Sequence, residues 1–318
     1  MSSYSIAHNA DFERSALPSI PAMTRTLQRQ RRSTNALPPA PRSLTDIVLN
    51  DDFLTLANGQ QFLLYDAGPQ DPDRLVILGT KKNLEVLAAC PHWFADGTFT
   101  VAPALYYQIY TIHVLQSGRV LPMLYCLLRR KTMATYTRVF RTILHLEPGL
   151  SPVTLLTDFE QPAIQAFRAV FPAAAPSACV FYLKQSVQRK VQESGLASLY
   201  SRNSRFREAV QLLPALAFLR PEYIGRGPHI RPQGEQEAEV FDYFERTYIG
   251  VPFGRSRTRR DPPFAPSLWS CHYRVQEELP KTNNSVEGWH HSLQSSLGFQ
   301  HPDPYRLIAA VSNRAKAS

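Results

Sequence analysis

From Thr45 onward, short apolar runs separated by turn dipeptides replace the Ser-, Pro-, Ala- and Arg-rich text of residues 1–44. DIVLN, FLTLANGQQFLLYDAG and RLVILGT read as short strands, because β-branched and aromatic residues suit a pleated, half-buried surface. Asn58-Gly59 is expected to close a hairpin, since such a turn needs positive φ at both central positions. KKNLEVLAACP switches to helical spacing, with Leu84, Leu87 and Ala88 on one side and Pro91 as its stop. WFADGTFTVAP, YYQIYTIHVLQSG and RVLPMLYCLLRRK follow as three strands, the last two joined through Ser117-Gly118. TMATYTRVFRTILHLEPG reads as a helix entered at Thr132 or Thr135 and left before Pro148-Gly149. Then come a strand in PVTLLTDFE, a helix in QPAIQAFRAVFP, a strand in SACVFYLKQ and the start of another helix in SVQRKVQESG.

Three strands, helix, strand, helix, strand, helix is the order of an α/β sheet that opens as an antiparallel meander and is completed by crossover units. Residues 196–250 read mainly helical, through FREAVQLLPALAFL and GEQEAEVFDYFERTYIG, and a Pro- and Arg-rich loop leads to Trp269. TNNSVEGWHHSLQSSLG is the last strong helix, with Gly298 as its stop. The expected division is a basic, Pro-rich segment at 1–44, a β-rich lead-in at 45–90 and an α/β core at 91–195. A mainly helical insertion at 196–275 and a C-terminal helix with its tail at 276–318 complete it.

Composition narrows the partners. The 318 residues are 44% hydrophobic, and no run approaches the ~20 apolar residues of a membrane span. The N-terminus lacks the charged-then-apolar layout of a signal peptide, so a soluble, intracellular chain is expected. A net charge of +9 attracts polyanions, nucleic acid being the usual one. Part of the excess is clustered, with Arg25, Arg29 and Arg32 on one prospective helix face and Arg255, Arg257, Arg259 and Arg260 in a Pro-flanked loop. The first cluster also has the composition of a nuclear localisation signal. Cys90, Cys126, Cys179 and Cys271 are widely spaced with no C-x-x-C pair, which excludes a disulfide framework or paired zinc ligands and leaves core thiols.

Candidate chemistry lies in three carboxylates. Asp96 sits inside the strand-like run HWFADGTFTV, where an ionised carboxylate is costly to bury without a partner. Taken alone, Asp96-Gly97 is also a turn dipeptide. Asp158 comes at the carboxyl end of the strand in PVTLLTDFE, where open α/β sheets bind ligands, or else caps the following helix. Glu287 in NNSVEGWHH has capping-box spacing from Asn284, yet a helix returning to the sheet edge brings it to the two aspartates. Oxygen ligands of this kind suit Mg²⁺, and two such ions activate a water or 3′-hydroxyl and stabilise the leaving oxygen in phosphodiester cleavage.

Asp96-Gly97-Thr98-Phe99 followed by YYQIYTIHV and LPMLYCLLRRKTMATYTRVF resembles the catalytic core of Mutator-like element (MULE) transposases. So do LLTDFEQPAIQAF, CVFYLKQSVQRKVQESGL, YFERTYIG and KTNNSVEGWHHSL, in the same order from about residue 45 to 305. The resemblance implies a DDE transposase with a ribonuclease H-like fold, interrupted by a helical insertion before the last acidic residue. It implies Asp96, Asp158 and Glu287 as the metal-binding catalytic triad, holding Mg²⁺ or Mn²⁺, with two ions expected. It further implies double-stranded DNA as partner, both terminal inverted repeats and target, a homo-oligomer when active, no membrane association, and the nucleus as location. Lys281, Asn283, Asn284 and His290 in KTNNSVEGWHH join Arg25, Arg29, Arg32, Arg255, Arg257, Arg259 and Arg260 as DNA-binding candidates. The family's C-x-x-H signature appears as Cys179-Val180-Phe181-Tyr182, a phenol standing where an imidazole is expected, on the strand or merely packed in the sheet. No FLYWCH- or WRKY-like zinc finger is present and NRAKAS ends early, as in an element fragment, a partial gene model or a host-adopted copy. The alternative to an active enzyme is a silent, DNA- or protein-binding nuclear relic.

Overall fold

The computed structural model describes residues 37–50, 54–56, 58–225, 234–252 and 259–315, and every element below belongs to the unit Ala40–Ser318. Arg25, Arg29, Arg32, Arg255 and Arg257 lie outside the described residues. The strands are β1 (Leu63–Asp66), β2 (Val76–Leu78), β3 (His92–Thr98), β4 (Gln108–Gln116), β5 (Arg119–Leu128), β6 (Thr154–Thr157) and β7 (Ala175–Ala178). They form one sheet in the order β1-β2-β5-β4-β3-β6-β7. β3, β4 and β5 make the antiparallel meander; β6 lies parallel to β3, and β7 parallel to β6. That central order, three antiparallel strands followed by two parallel ones, is the ribonuclease H-like arrangement. β1 and β2 extend it antiparallel beyond β5.

Local chemistry explains the joints. Ser117 and Gly118 both have positive φ, 49° and 75°, the backbone a two-residue hairpin turn requires. Helix α1 (Lys81–Ala89) starts from Thr80, whose hydroxyl and the Asn83 side chain satisfy each other's backbone N–H groups. Helix α2 (Met133–Leu146) is capped by Thr132. Helix α3 (Gln161–Val170) has Pro162 in its first turn, where the missing N–H costs nothing. These three helices cover one face, packing Leu84, Leu87, Tyr136, Phe140 and Phe167 against Trp93, Ala95, Tyr110 and Ile112.

The opposite face is covered near β2, β4 and β5 by α10 (Asn284–Leu297) and α11 (Pro304–Ala315). Leu293, Leu297, Leu307 and Ile308 meet Val76, Ile109, Tyr125 and Leu127 there. α10 ends on Gly298 at φ 73°, a left-handed cap. Between α3 and α10 the chain adds α4 (Val180–Glu193), α5 (Ala197–Arg202), α6 (Ser204–Ala215), α7 (Glu235–Phe244, continued by a π-helical turn), α8 (Pro266–Trp269) and α9 (His272–Gln276). These build a third core around Phe244, Tyr248 and Trp269, which also takes in Ile164 and Ala178 of the sheet domain. All four cysteines are free thiols.

Two expected strands take other forms. DIVLN does not pair into the sheet. The carbonyls of Ile47 and of Leu44 just before the run accept from the buried Arg74 guanidinium (3.0 and 2.7 Å), and Val48 N–H donates to the Tyr305 hydroxyl, so side chains engage groups a ladder would use. In SACVFYLKQ the strand stops at Ala178 and Cys179 starts α4, because Leu183, Val187 and Val191 are spaced to bury one helical face. The reading of FLTLANGQQFLLYDAG survives in reduced form. Gly59, at φ 79°, turns the chain inside a Thr55–Gln61 bridge, and strand pairing proper begins at Leu63.

Trp269 is fully buried and its indole N–H donates to the Tyr248 carbonyl (3.0 Å) and the Phe264 carbonyl. Trp269→Ala should therefore lower unfolding free energy in urea by about 3–5 kcal/mol. A loss under about 1 kcal/mol would show that the ring is not the centre of the insertion core.

Candidate active site

Strand alternation decides which way Asp96 points. Trp93 and Ala95 face the α1–α3 side, so Phe94 and Asp96 face the other side, where Phe94 packs on Leu156 and on Val286 of α10. Asp96 lies within β3 and the strand runs through Gly97 to Thr98, so the turn reading of Asp-Gly is replaced by a strand. β3 pairs with β6 as Phe94↔Leu156; the same register carried two residues further sets Asp96 beside Asp158, just past the end of β6.

Asp96 is 6% exposed and Asp158 half-buried. Burial, then the Asp158 charge, with smaller contributions from Glu287 and Glu160, push the Asp96 carboxyl up to about 8. Burial likewise raises Asp158, although Lys131 and backbone N–H donors oppose it. Asp96 Oδ1 accepts from the Gly97 N–H (2.9 Å), and Asp158 Oδ1 from the Glu160 N–H (3.2 Å). Asp158 is not the cap of α3; Glu160 holds that position.

α10 brings the third carboxylate. The helix begins at Asn284 with Asn283 as its N-cap residue, so Glu287 falls one place too late for a capping box, and that role is not formed. Glu287 instead faces the sheet, and its Oε1 is buried without a hydrogen-bond partner. The start of α10 is held by Asn283, whose amide donates to the Ala95 carbonyl of β3 (3.0 Å) and whose backbone N–H reaches Cys179 Sγ (3.2 Å). Asn283 is fully buried and His290 is 7% exposed, so these two DNA-contact candidates are fixtures of the helix–sheet junction. Lys281 and Asn284 are exposed on the same segment.

His290 sits one helical turn beyond Glu287. Its Nε2 meets Thr111 Oγ1 (2.8 Å), which also meets His113 Nε2 (2.8 Å) and donates to the Asp96 carbonyl (3.3 Å). With the threonine proton so used, both imidazoles donate to Thr111, leaving His290 Nδ1 unprotonated and 3.8 Å from Asp96 Oδ2. Burial lowers His290 to about 4 and His113 further below its ordinary value, so neither supplies a positive charge at neutral pH. Tyr182, on the first turn of α4 rather than on a strand, packs in no sheet. Burial, the Asp96 charge and its hydrogen bond to Glu287 push its phenol far up, so it remains a proton donor.

A fourth carboxylate, Glu160, went unread in the sequence. Gln108, buried on β4, donates to the Tyr136 hydroxyl (2.6 Å), and Tyr136 donates to Glu160 Oε1 (2.9 Å). The same glutamine explains Gly97: a Cβ there would lie 2.2 Å from Gln108 Oε1. A polar Gln within the apolar run YYQIYTIHV was the available signal. Arg259 is engaged with Glu245 (2.7 Å) and the Gly250 carbonyl, and Arg260 is exposed.

An oxygen donor set in which Asp96 and Asp158 lie side by side and an orphaned Glu287 oxygen faces the sheet fits Mg²⁺ or Mn²⁺. Among the described residues, no three His, Cys, Asp or Glu side chains stand close enough to ligate one ion as they are placed. The fold and these acids define a ribonuclease H-like domain with a carboxylate site at the strand ends. Residues 92–186, from β3 into α4, match the family model of the MULE transposase domain. No curated protein matches the chain. Among solved structures it is similar to the Drosophila P element transposase strand transfer complex, at 12% identity and a TM-score of 0.39. That match covers 94% of this chain and 89% of that one, a likeness too distant to carry an argument.

The raised Asp96 carboxyl makes a stability prediction. A carboxyl whose folded pKa exceeds its unfolded value contributes fully below about pH 4, and its contribution is lost as pH rises to about 8. In chelator, Asp96→Asn should therefore be more stable than wild type at pH 8, with the gap closing towards pH 4. Its growth is at most about 1.4 kcal/mol per pH unit. Urea titrations across that range check it; a gap that does not change with pH would mean Asp96 is not desolvated.

Proposed function

We propose that this chain is the catalytic domain of a DDE-type transposase, which cuts phosphodiester bonds at element ends and joins the freed 3′-ends to target DNA. The observation that carries this reading is the Asp96–Asp158 pair. Two carboxylates are held in parallel register, buried against each other's charge, while the adjacent histidine is neutral. Such a pair serves no structural purpose; in the free protein Asp96 relieves the repulsion by keeping its proton, and a cation would relieve it in that proton's place.

Asp96, Asp158 and Glu287 are the residues that would hold Mg²⁺ or Mn²⁺, as a two-ion site. When bound, such ions neutralise developing phosphate charge and lower the pKa of an attacking water or 3′-hydroxyl. The chain's own residues set the geometry. β3 and β6 fix the two aspartates, Asn283 fixes the entry of α10, and Tyr182 keeps its proton and orients Glu287. Lys131, exposed beside the site and partly opposing the rise that burial imposes on Asp158 and Glu160, offers a point charge to a phosphate. The partners are double-stranded DNA at terminal inverted repeats and target, the working form is a homo-oligomer, and the location is the nucleus. No helix among the described residues is long and apolar enough to cross a membrane.

A metal test comes first because it needs no turnover. Mg²⁺ or Mn²⁺ should raise the melting temperature of wild type by mass action, and not that of Asp96→Asn or Asp158→Asn. Single-turnover nicking of a labelled duplex should then require the metal and fall by 10³-fold or more, an order-of-magnitude figure of about 4 kcal/mol, in either variant and in Glu287→Gln. Metal-independent nicking, or full activity in Asp96→Asn, would remove the proposal.

DNA binding is expected to be mainly electrostatic, given the +9 charge. If about four phosphates are neutralised, log K against log[salt] should have a slope of about −3 to −4. Fluorescence anisotropy on terminal-repeat and scrambled duplexes measures this, with little discrimination expected; a flat salt response would contradict it.

One observation favours a slow or silent relative of the active enzymes: Tyr182 stands at the position of the family's expected imidazole. Replacing it tests that reading. Tyr182→His should raise metal-dependent nicking by about 10²-fold, the scale of one positioned acid–base group. Adding Asp96→Asn should abolish the gain. If wild type already cleaves as fast as Tyr182→His, the phenol is a sufficient partner for Glu287 and the silent reading loses its support.

A further inference from the structure

The loop between β3 and β4 carries two large rings that the fold leaves in solvent. Phe99, three residues beyond Asp96, is 42% exposed, and Tyr107, just before β4, is 47% exposed. Their centroids lie 5.3 Å apart with the rings tilted at 75°. Lys131 Nζ stands 5.8 Å from both centroids, within cation–π range of each. The same lysine acts electrostatically on Asp158 and Glu160, which places this group on the rim of the carboxylate site.

The arrangement is held firmly. Tyr107 N–H donates to the Leu128 carbonyl at the end of β5 (2.8 Å), and Tyr106 N–H to the Pro103 carbonyl (2.7 Å). His301 N–H donates to the Thr100 carbonyl (3.0 Å), and its ring meets the Ala102 carbonyl (3.1 Å), so the segment after α10 braces the loop. Neither ring enters the cores beneath, so neither is needed for packing.

We infer that Phe99, Tyr107 and Lys131 form a stacking subsite for an unpaired nucleobase of the DNA strand whose phosphate lies at Asp96 and Asp158. Three features select this occupant over an apolar partner. Rings in an edge-to-face pair present one open π-face and one edge, which accept a planar heterocycle; a rigid loop loses little freedom on binding it. The cation beside the rings matches the phosphate attached to that base, whereas a purely apolar ligand would leave it unused. Moreover, the acids sit at the ends of strands beneath the loop, where duplex DNA must fray or bend to bring a backbone phosphate to buried carboxylates.

This inference rests on the transposase reading for its substrate, and binding separates the two. The full chain is titrated, with Ca²⁺ in place of Mg²⁺ to prevent cutting, against a blunt duplex and a forked duplex of equal length carrying a 2-aminopurine in its unpaired end. Wild type should bind the fork more tightly than the blunt duplex and quench the 2-aminopurine. Phe99→Ala and Tyr107→Leu should lose that preference by about tenfold, since base–aromatic stacking supplies that order of affinity. Tyr107→Phe should retain it, because the ring face and not the hydroxyl makes the contact. Lys131→Gln should weaken fork binding and reduce the salt slope by about 1. Unchanged melting temperatures are expected for all four, the side chains being exposed. Equal loss on fork and blunt duplexes, or no loss in Phe99→Ala and Tyr107→Leu, overturns the subsite. If wild type shows the ring-dependent preference but never nicks DNA with Mg²⁺, the subsite stands and the catalytic reading alone fails.

Discussion

The parallel pairing of β3 with β6 is the constraint on which the rest of the site depends. It sets Asp96 and Asp158 side by side at the strand ends, and everything nearby either buries their charge or declines to neutralise it. An Arg or Lys salt-bridged to Asp96 would have stabilised the apo fold; the closest basic ring is instead a histidine whose burial keeps it neutral. Without a cation Asp96 meets the cost of burial by holding its proton up to about pH 8, and the sheet must be stable enough to keep both carboxyls out of water. Fully buried Trp93, Phe94, Leu155 and Leu156, flanking the acids on both strands, supply that stability on each face.

The site is built from both faces of the sheet, meeting at the strand ends. From one face α10 contributes Glu287 and His290, its entry fixed by Asn283 on the Ala95 carbonyl. From the other, Tyr136 of α2 reaches Glu160, with Gln108 behind it. Gly97 lies between these two systems, and its lack of a side chain leaves the room that Gln108 fills. Asp96-Gly97 thus resembles a turn dipeptide for a reason that has nothing to do with turning. Aspartate is there for its charge and glycine for space.

This explains which features could be read from the chain. The meander, the crossovers and the helices at α1, α2, α3 and α10 follow from period and punctuation, since burial on one face leaves a regular trace. The start of α4 did not show, because Cys179 to Leu183 is a continuous apolar and aromatic run that suits a strand as well as a helix. The distinguishing i, i+4 spacing of Leu183, Val187 and Val191 appears only further along. DIVLN failed for another reason: a buried Arg74 from a distant segment takes the carbonyls of Ile47 and of the preceding Leu44, and no local pattern reveals that. The burial of Asn283 and His290 left no trace in the chain, because polar residues beside Lys281 look like surface. Glu160 lay in plain view in TDFE, but only the fold sets it against Tyr136. The acids themselves were visible at Asp96, Asp158 and Glu287; the register that sets the first two side by side depended on the topology.

The helical insertion is bound into this site rather than appended to it. α4 is one continuous helix whose first turn presents Tyr182 to Glu287 and whose later turns bury Leu183, Val187 and Val191 in the insertion core. On the sheet side, Phe159, next to Asp158, packs edge-on against Phe264 (4.9 Å) and Tyr248 (5.5 Å) of that same core. Two of the three carboxylates are therefore in contact with, or adjacent to, side chains that the insertion holds in place. Close-packed aromatic clusters transmit displacement rather than absorb it, and a helix moves along its length as a unit. A shift of the insertion relative to the sheet would thus be felt at Asp158 through Phe159 and at Glu287 through Tyr182, while Asp96, fixed within β3, stays in place. The geometry makes Asp96 the reference point of the site, and it makes the other two acids the ones whose positions the insertion can adjust.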